Sequence, residues 1–294
     1  MAQLELQLQD FPEVRLDTHA RLPVLRIHTP QASALVSLHG GQLLSYLPEA
    51  HEDLLWLSPT SKAPPQAIRG GVPVCWPYFG RQDQPAHVPQ HGFARNTQWT
   101  LSQVRREHDG GIELALELPA HPDTPLRATQ TLHIGRSLRQ SLTTRNMGNS
   151  VQRFTCALHS YFRVSDARQV RVRGLEGLRY VDKFDGAIHQ QVADWDLCDP
   201  RDPGRCDRLY ADAGTRFELI DSNAGRVIRL TTSGSGSLVV WNPGAAGAAA
   251  MDDVGVAQWS RFVCLEAANA GADLIELAPG QQHVLGQEVQ VSAL

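Results

Sequence analysis

The segment FTCALHSYF, at positions 154–162, has the two-residue period of a β-strand and separates two kinds of side chain. Apolar side chains at positions 154, 156, 158 and 162 share one face. His159 and Tyr161 share the other face. The pattern predicts a strand that packs one face against a core and presents an imidazole and a phenol on the opposite face.

Similar short runs follow one another along most of the chain. The candidate strands are residues 22–29, 34–38, 43–47, 99–105, 112–118, 128–134, 138–145, 154–164, 216–220, 227–231, 237–241, 262–267 and 283–291. Turn signals such as His39-Gly40-Gly41 separate them, and no segment has a helical period over ten residues. Many short strands without intervening helices predict an all-β fold, a large antiparallel β-sandwich.

Two stretches interrupt this pattern, residues 58–96 and residues 194–214. Both are poor in strand signals, so we expect long loops, and ordered long loops often carry function. No break in composition and no internal repeat divides the chain. We therefore expect a single domain over residues 1–294.

Composition restricts the partners of the protein. It has 294 residues, 42% of them hydrophobic, and a formal net charge of −4. Without a basic field, nucleic-acid and membrane-surface partners are not expected. The first residues lack the basic segment and apolar block of a signal peptide, and the five cysteines include no Cys-x-x-Cys pair. These features favour a cytoplasmic protein with reduced thiols, no disulfide framework and no structural zinc.

Polar side chains are concentrated in the first long loop. Arg69 precedes Gly70-Gly71, where the backbone could approach a ligand closely and the guanidinium could bind a phosphate or carboxylate. Gln90, His91 and Arg95 place an amide, an imidazole and a guanidinium in one short segment. The alternatives are a tight turn with a solvated arginine and a loop histidine bonded to the backbone.

His87 and His91 are four residues apart, as in zinc sites on helices. Pro85 and Pro89 argue against a helix there, and no glutamate follows His87. We therefore expect no metal.

Three further residues are candidates for proton transfer or binding. A histidine such as His159 titrates near neutrality and suits proton transfer, although a structural histidine in the core is the alternative. Glu266 closes the apolar run 262–267, where an unpaired carboxylate would be costly, so it is a candidate general base. Its alternative is a strand-end glutamate that reaches solvent. Asp207 lies in the second long loop and could simply pair with Arg205 or Arg208.

Taken together and in this order, these segments resemble the D-hexose-6-phosphate mutarotases, or glucose-6-phosphate 1-epimerases, of the galactose mutarotase-like superfamily. The matching pieces are Arg69-Gly70-Gly71-Val72-Pro73, Pro89-Gln90-His91-Gly92-Phe93-Ala94-Arg95, Leu158-His159-Ser160-Tyr161, Asp207-Arg208-Leu209-Tyr210, Trp241-Asn242-Pro243 and Val263-Cys264-Leu265-Glu266. The first ~60 residues match only as β-rich sequence. In some relatives a bulky residue and a lysine follow Trp-Asn-Pro, whereas this chain has a Gly/Ala-rich run at 244–250, which predicts a more open pocket rim.

The resemblance implies a β-sandwich that holds a sugar in a groove on one sheet. It implies His159 as the catalytic acid and Glu266 as the base. The residues that it implies for substrate binding are Arg69, Gln90, His91, Arg95 and Asp207, with the two arginines on the phosphate.

The implied activity is exchange of the α and β anomers of glucose 6-phosphate, and of related aldohexose 6-phosphates, by acid–base ring opening without a cofactor. The partner is then a small phosphosugar. A mutarotase of free aldoses is one alternative, although neutral sugars do not need paired guanidinium groups. A non-catalytic sugar-binding sandwich is another, and it would not need His159 and Glu266 together. A third is a sugar-modifying enzyme with other chemistry on the same fold.

Overall fold

The computed structural model describes residues 2–19, 22–81, 83–198, 204–255 and 257–294, and strands predominate in them. The strands are β1 (Val14–His19), β2 (Leu22–His28), β3 (Ala32–Ser37), β4 (Gln42–Pro48), β5 (Val74–Cys75), β6 (Thr100–Arg106), β7 (Ile112–Glu117), β8 (Leu126–Ile134), β9 (Leu138–Asn146), β10 (Gln152–Phe154), β11 (Cys156–Arg163), β12 (Arg171–Arg173), β13 (Arg179–Asp182), β14 (Ile188–Gln190), β15 (Cys206–Ala211), β16 (Arg216–Asp221), β17 (Arg226–Ser233), β18 (Ser237–Asn242), β19 (Phe262–Asn269), β20 (Ile275–Leu277) and β21 (Gln282–Ala293). The α-helices in these ranges are α1 (Ala2–Leu8) and α2 (Gly244–Ala249).

The prediction of an all-β antiparallel sandwich is confirmed. One sheet has eight strands in the order β12-β16-β17-β21-β9-β8-β7-β6, and another has seven in the order β14-β13-β15-β18-β19-β11-β5. Neighbouring long strands in both sheets run antiparallel. Strands β1 to β4 form a smaller sheet, and β10 pairs with β20. Within the described residues, no helix is long and apolar enough to cross a membrane.

The two large sheets pack on each other through their apolar faces. Leu138 and Leu142 of β9 alternate with less buried residues and join the same core cluster as Leu158 and Phe162 of β11. Burial of each such side chain contributes about 1.5–3 kcal/mol. The core therefore lies on the face of β11 opposite His159, as the alternation at 154–162 predicted.

A chain of buried polar side chains also joins the two large sheets. Ser160 Oγ of β11 donates to Gln287 Oε1 of β21 at 2.9 Å. Gln287 Nε2 donates to Gln140 Oε1 at 2.8 Å, and Gln140 Nε2 donates to Gln130 Oε1 at 2.6 Å. Gln130 Nε2 in turn donates to the carbonyl oxygen of Gly41 at 2.5 Å. We call these four side chains the glutamine chain, and it fixes the strand that carries His159 against the opposite sheet.

The prediction of a loop over residues 194–214 is wrong, because β15 lies within it; residues 199–203 are outside the described ranges. Two adjacent charged residues, Asp207 and Arg208, concealed this strand. Arg208 is buried, stacks over the Tyr180 ring at 4.6 Å and donates to Gln191 at 3.0 Å. An arginine with such partners occupies a core-facing position that its charge alone would not suggest.

Other boundaries also differ from the predictions. The run 154–164 is divided at Thr155, whose N–H donates to Pro77 and whose hydroxyl accepts from the N–H of Phe79, so β10 and β11 join different sheets. Short strands such as β12, β13 and β14 were missed, since three or four residues carry little periodic signal. In the described part of the loop predicted over 58–96, the regular elements are the two-residue strand β5 and a 3-10 turn at Ala94–Asn96.

Candidate active site

A cavity of about 530 Å³ lies on the face of the seven-stranded sheet that points away from the core. All seven site residues named from the sequence line it: Arg69, Gln90, His91, Arg95, His159, Asp207 and Glu266. Lys183, Trp241 and Met251 line it as well and were not among the predicted site residues. A cavity of this size suits a small molecule.

His159 and Glu266 lie side by side on the floor of the cavity. They are register partners on β11 and β19, and His159 Nε2 is 3.4 Å from Glu266 Oε1. They belong to adjacent strands of one sheet. Glu266 stands in the middle of β19 with 1% of its surface exposed, so the alternative of a solvent-reaching strand end is wrong.

Burial controls the protonation of this pair. It lowers the pKa of His159 well below its ordinary range, and Arg69 and Arg95 lower it further. It raises the pKa of Glu266 well above its ordinary range, partly offset by Lys183 and Arg95. Since a low-dielectric site disfavours charge on both groups, a single proton held by the pair resides on the carboxyl group.

Two buried polar atoms of the pair have no hydrogen-bond partner, His159 Nδ1 and Glu266 Oε2. A buried polar atom without a partner costs about 1–3 kcal/mol. Such atoms are rare in protein interiors and indicate a place where a ligand supplies the missing contacts.

Aromatic rings hold the imidazole in place. The Tyr161 ring stacks on His159 with centroids 4.7 Å apart, and the Trp241 ring meets His159 edge-on at 5.9 Å. The Tyr161 hydroxyl accepts a hydrogen bond from Arg69 at 2.9 Å. The imidazole therefore has one fixed plane relative to the cavity.

Arg69 enters the cavity from the first long loop. Its Nε donates to Asp253 Oδ2 at 3.1 Å, so part of its charge is balanced within the protein. Gly70 and Gly71 have φ values of 101° and 62°, and a Cβ on Gly70 would lie 2.4 Å from the carbonyl oxygen of Trp56. These glycines therefore let the loop pass close to neighbouring backbone, which differs from the ligand approach that the sequence suggested.

His91 and Arg95 form the next wall of the cavity. His91 has a φ of 67°, rare for a residue with a side chain, and its Nδ1 accepts the N–H of Gly80 at 3.2 Å. The ring proton therefore lies on Nε2, and because burial lowers the His91 pKa, the ring is a neutral donor. Arg95 donates to the carbonyl oxygen of Gln90 at 2.8 Å, and within the described ranges no carboxylate lies within ion-pair distance of it.

Asp207 lines the opposite wall and pairs with a residue that the sequence did not indicate. Lys183 Nζ is 3.3 Å from Asp207 Oδ1 and lies 5.3 Å from the centre of the Phe79 ring. The alternative of a pair with Arg205 or Arg208 is wrong, because Lys183 is the ion-pair partner of Asp207. Burial raises the pKa of Asp207, and Lys183 opposes that shift.

The two histidines of the candidate zinc spacing diverge. His87 Nε2 lies 3.0 Å from Asp123 at the surface, whereas His91 lines the cavity. A different set of donors is close together: ligand atoms of His159, Cys264 and Glu266 all lie within 4.8 Å of one another.

The model of the aldose 1-epimerase family matches residues 23–290. The chain belongs to the aldose 1-epimerase family. A protein from Escherichia coli (strain K12), provisionally named glucose-6-phosphate 1-epimerase, is 36% identical over 256 residues, which cover 85% of this chain and 84% of that protein. The crystal structure of a protein from Salmonella typhimurium, provisionally named a mutarotase, has a TM-score of 0.87 and 29% identity and covers 97% of this chain and 96% of that chain.

The rim of this epimerase's cavity includes the segment where the sequence departs from some relatives. The Gly/Ala-rich run forms the short helix α2, and Met251, just beyond it, lines the cavity. Some relatives have a lysine after Trp-Asn-Pro. In this chain Lys183, which follows β13, brings a positive charge into the cavity. No local motif marks Lys183, because only the pairing of β13 with β15 places it opposite Asp207.

Proposed function

We propose that this epimerase interconverts the α and β anomers of a hexose 6-phosphate, with glucose 6-phosphate as the first candidate. His159 is the general acid and Glu266 the general base. The observation that carries the proposal is the contact of an imidazole and a carboxyl group at 3.4 Å in a cavity that also contains Arg95, an arginine without a carboxylate partner in the described chain. The name given to the Escherichia coli relative supports the same substrate.

The reaction needs two proton transfers at neighbouring oxygens. Glu266 takes the proton of the anomeric hydroxyl O1, and His159 gives a proton to the ring oxygen O5. The C1–O5 bond breaks and C1 becomes the aldehyde. Rotation about C1–C2 presents the other face, and closure reverses both transfers. O1 and O5 are both bonded to C1, so a donor and an acceptor that lie side by side reach both.

The buried pair needs only one proton in total for this cycle. Before ring opening the proton is on His159 and Glu266 is ionised, and after it His159 is neutral and Glu266 is protonated. Burial favours this second arrangement, as the opposite directions of the two pKa shifts indicate. The site therefore favours the protonation state that accompanies the open-chain sugar, and the substrate itself carries the proton between the two groups.

The phosphate is expected beside His159. In a hexopyranose, C6 is bonded to C5, which is itself bonded to the ring oxygen O5. A phosphate on C6 therefore lies on the O5 side of the sugar. Arg69 donates to the hydroxyl of Tyr161, whose ring stacks on His159, and Arg95 lines the same cavity, which supports a phosphate on that side. Arg69 is paired with Asp253 and Lys183 with Asp207, so Arg95 has the most charge left for an anion.

The test is anomer-exchange NMR on glucose 6-phosphate and on free glucose, with the uncatalysed rate subtracted. Arg95→Ala should weaken binding of the phosphosugar by about 1.5–3 kcal/mol, the usual contribution of a charge-assisted hydrogen bond, and change exchange of free glucose little. Arg145→Ala, at an exposed position on β9, is the matched control.

Equal losses for both sugars would favour a mutarotase of free aldoses. Sugar binding without exchange above background would favour a non-catalytic sugar-binding protein.

We also propose that the whole chain acts as one domain in the cytoplasm. A shared core supports the first part, since one apolar cluster includes Val14 of β1, Leu158 of β11 and Val289 of β21. All five cysteines are reduced thiols, which supports a reducing compartment.

A further inference from the structure

A fully buried cysteine lies close to the two residues on the floor of the cavity. Cys264 is two residues before Glu266 on β19, so both side chains project from the same face. In the ladder of hydrogen-bonded strands, Cys264 is flanked by Tyr161 of β11 and Trp241 of β18, two of the rings that contact His159. Its sulfur, a ring nitrogen of His159 and a carboxylate oxygen of Glu266 lie within 4.8 Å of one another.

These three donors match one class of metal ion. Thiolate, imidazole and carboxylate are the ligands that Zn²⁺ binds, whereas Mg²⁺ and Ca²⁺ prefer oxygen ligands only. Three protein donors leave the fourth position of a tetrahedral ion open to another ligand. The separation of 3.4 Å between His159 Nε2 and Glu266 Oε1 is compatible with two ligands of one tetrahedral ion.

Independent features indicate that the donors are available. Glu266 Oε2 is buried without a hydrogen-bond partner, and so is His159 Nδ1. Glu266 is 1% exposed and His159 is 7% exposed, so a bound ion would be largely shielded from water.

We propose that His159, Cys264 and Glu266 form an inhibitory site for a thiophilic divalent cation such as Zn²⁺. Cys264 binds as the thiolate and Glu266 as the carboxylate, and each proton that the ion displaces from them leaves to solvent. The ion then bonds to the atoms that would otherwise transfer protons to and from the sugar, so ion and sugar compete. Inhibition rests on the proposed function, whereas metal binding by these residues does not.

Binding is measured with Co²⁺, a spectroscopic substitute for Zn²⁺, in a protein whose exposed Cys198 is replaced by serine. The sulfur-to-cobalt charge-transfer band should appear in the Cys198→Ser protein and disappear in Cys198→Ser with Cys264→Ser or Cys264→Ala. Cys156→Ser is the matched control, because Cys156 is equally buried and belongs to the core cluster of the opposite face of β11. A band that survives loss of Cys264, or is absent from the Cys198→Ser protein, overturns the proposal.

Inhibition is measured as the Zn²⁺ concentration that halves each variant's own anomer-exchange rate. Loss of Cys264 should raise it at least ~10-fold, the lower range reported for weakened metal sites. Mg²⁺ at the same concentration should not inhibit, and EDTA should not lower the rate. Unchanged zinc sensitivity without Cys264 contradicts the inhibitory site. A cobalt band in a protein that exchanges no sugar would leave the metal site standing and reject the proposed function.

Discussion

Buried polar groups are hydrogen-bonded on one face of β11 and partly without hydrogen-bond partners on the other. On the core face, Ser160 begins the glutamine chain, in which the Ser160 hydroxyl and each amide nitrogen donate to the next acceptor. On the cavity face, His159 and its partner Glu266 each keep a buried atom without a partner. Adjacent residues of one strand therefore serve different purposes. Satisfied polar groups fix the geometry of the sandwich, and unsatisfied ones provide binding capacity at a cost in stability.

The largest expected effect comes from removing the cavity-face groups. His159→Ala should lower kcat/KM for anomer exchange by about two to four orders of magnitude, the usual contribution of one positioned proton donor. Glu266→Gln should do the same, because the amide keeps the shape but cannot accept the proton. Exchange NMR measures the rate, and circular dichroism checks the fold.

His133→Ala is the control for loss of a buried histidine, since His133 lies on β8 of the other sheet. A near-wild-type rate in either site variant would remove that residue from the proposed pair.

Breaking the core-face chain should instead reduce stability. Gln287→Leu leaves the Ser160 hydroxyl without its acceptor and Gln140 Oε1 without its donor. Each group left unpaired should lower the free energy of unfolding by about 1–3 kcal/mol, measured by urea denaturation. Gln290→Leu, at an exposed position of the same strand, should change it by less than about 0.5 kcal/mol. If Gln287→Leu were as stable as the wild type, the glutamine chain would not hold the sheets together.

A smaller effect is expected on stability, where the cost of burying the Glu266 carboxylate can be measured separately from its role in the reaction. The raised pKa of Glu266 means that stability is fully present below its ordinary pKa of 4.5 and is lost as pH rises, because only the unfolded chain ionises easily. Glu266→Gln removes that loss. The Tm of the variant relative to the wild type should therefore increase between pH 5 and pH 8, by at least ~2 °C, roughly the shift produced by 1 kcal/mol in a chain of this size. A relative Tm that stays constant or falls would show that partners within the protein already compensate the buried carboxylate.

Local sequence patterns were sufficient for much of the sandwich. Strands such as β7 and β8 largely alternate apolar and polar residues, and a period of two determines which face is buried regardless of the partner strand. β15 escaped prediction because it buries Arg208, whose partners Tyr180 and Gln191 come from other segments. A polar residue is reliably exposed only where the fold offers it no partners. Those partners depend on the fold and cannot be seen in the local sequence.

The candidate site, too, was predicted in part from the sequence and in part only from the tertiary structure. The residue types and their order determined the candidates Arg69, His91, Arg95, His159 and Glu266, because a titrating imidazole, a carboxylate in an apolar run and guanidinium groups near glycines are readable without coordinates. Only the tertiary structure decided that His159 and Glu266 are register partners, that Lys183 pairs with Asp207, and that Cys264 lies beside the pair. The physical reason is that strand pairing joins residues far apart in the chain, and a one-residue shift in register would move every side chain of a strand to the other face.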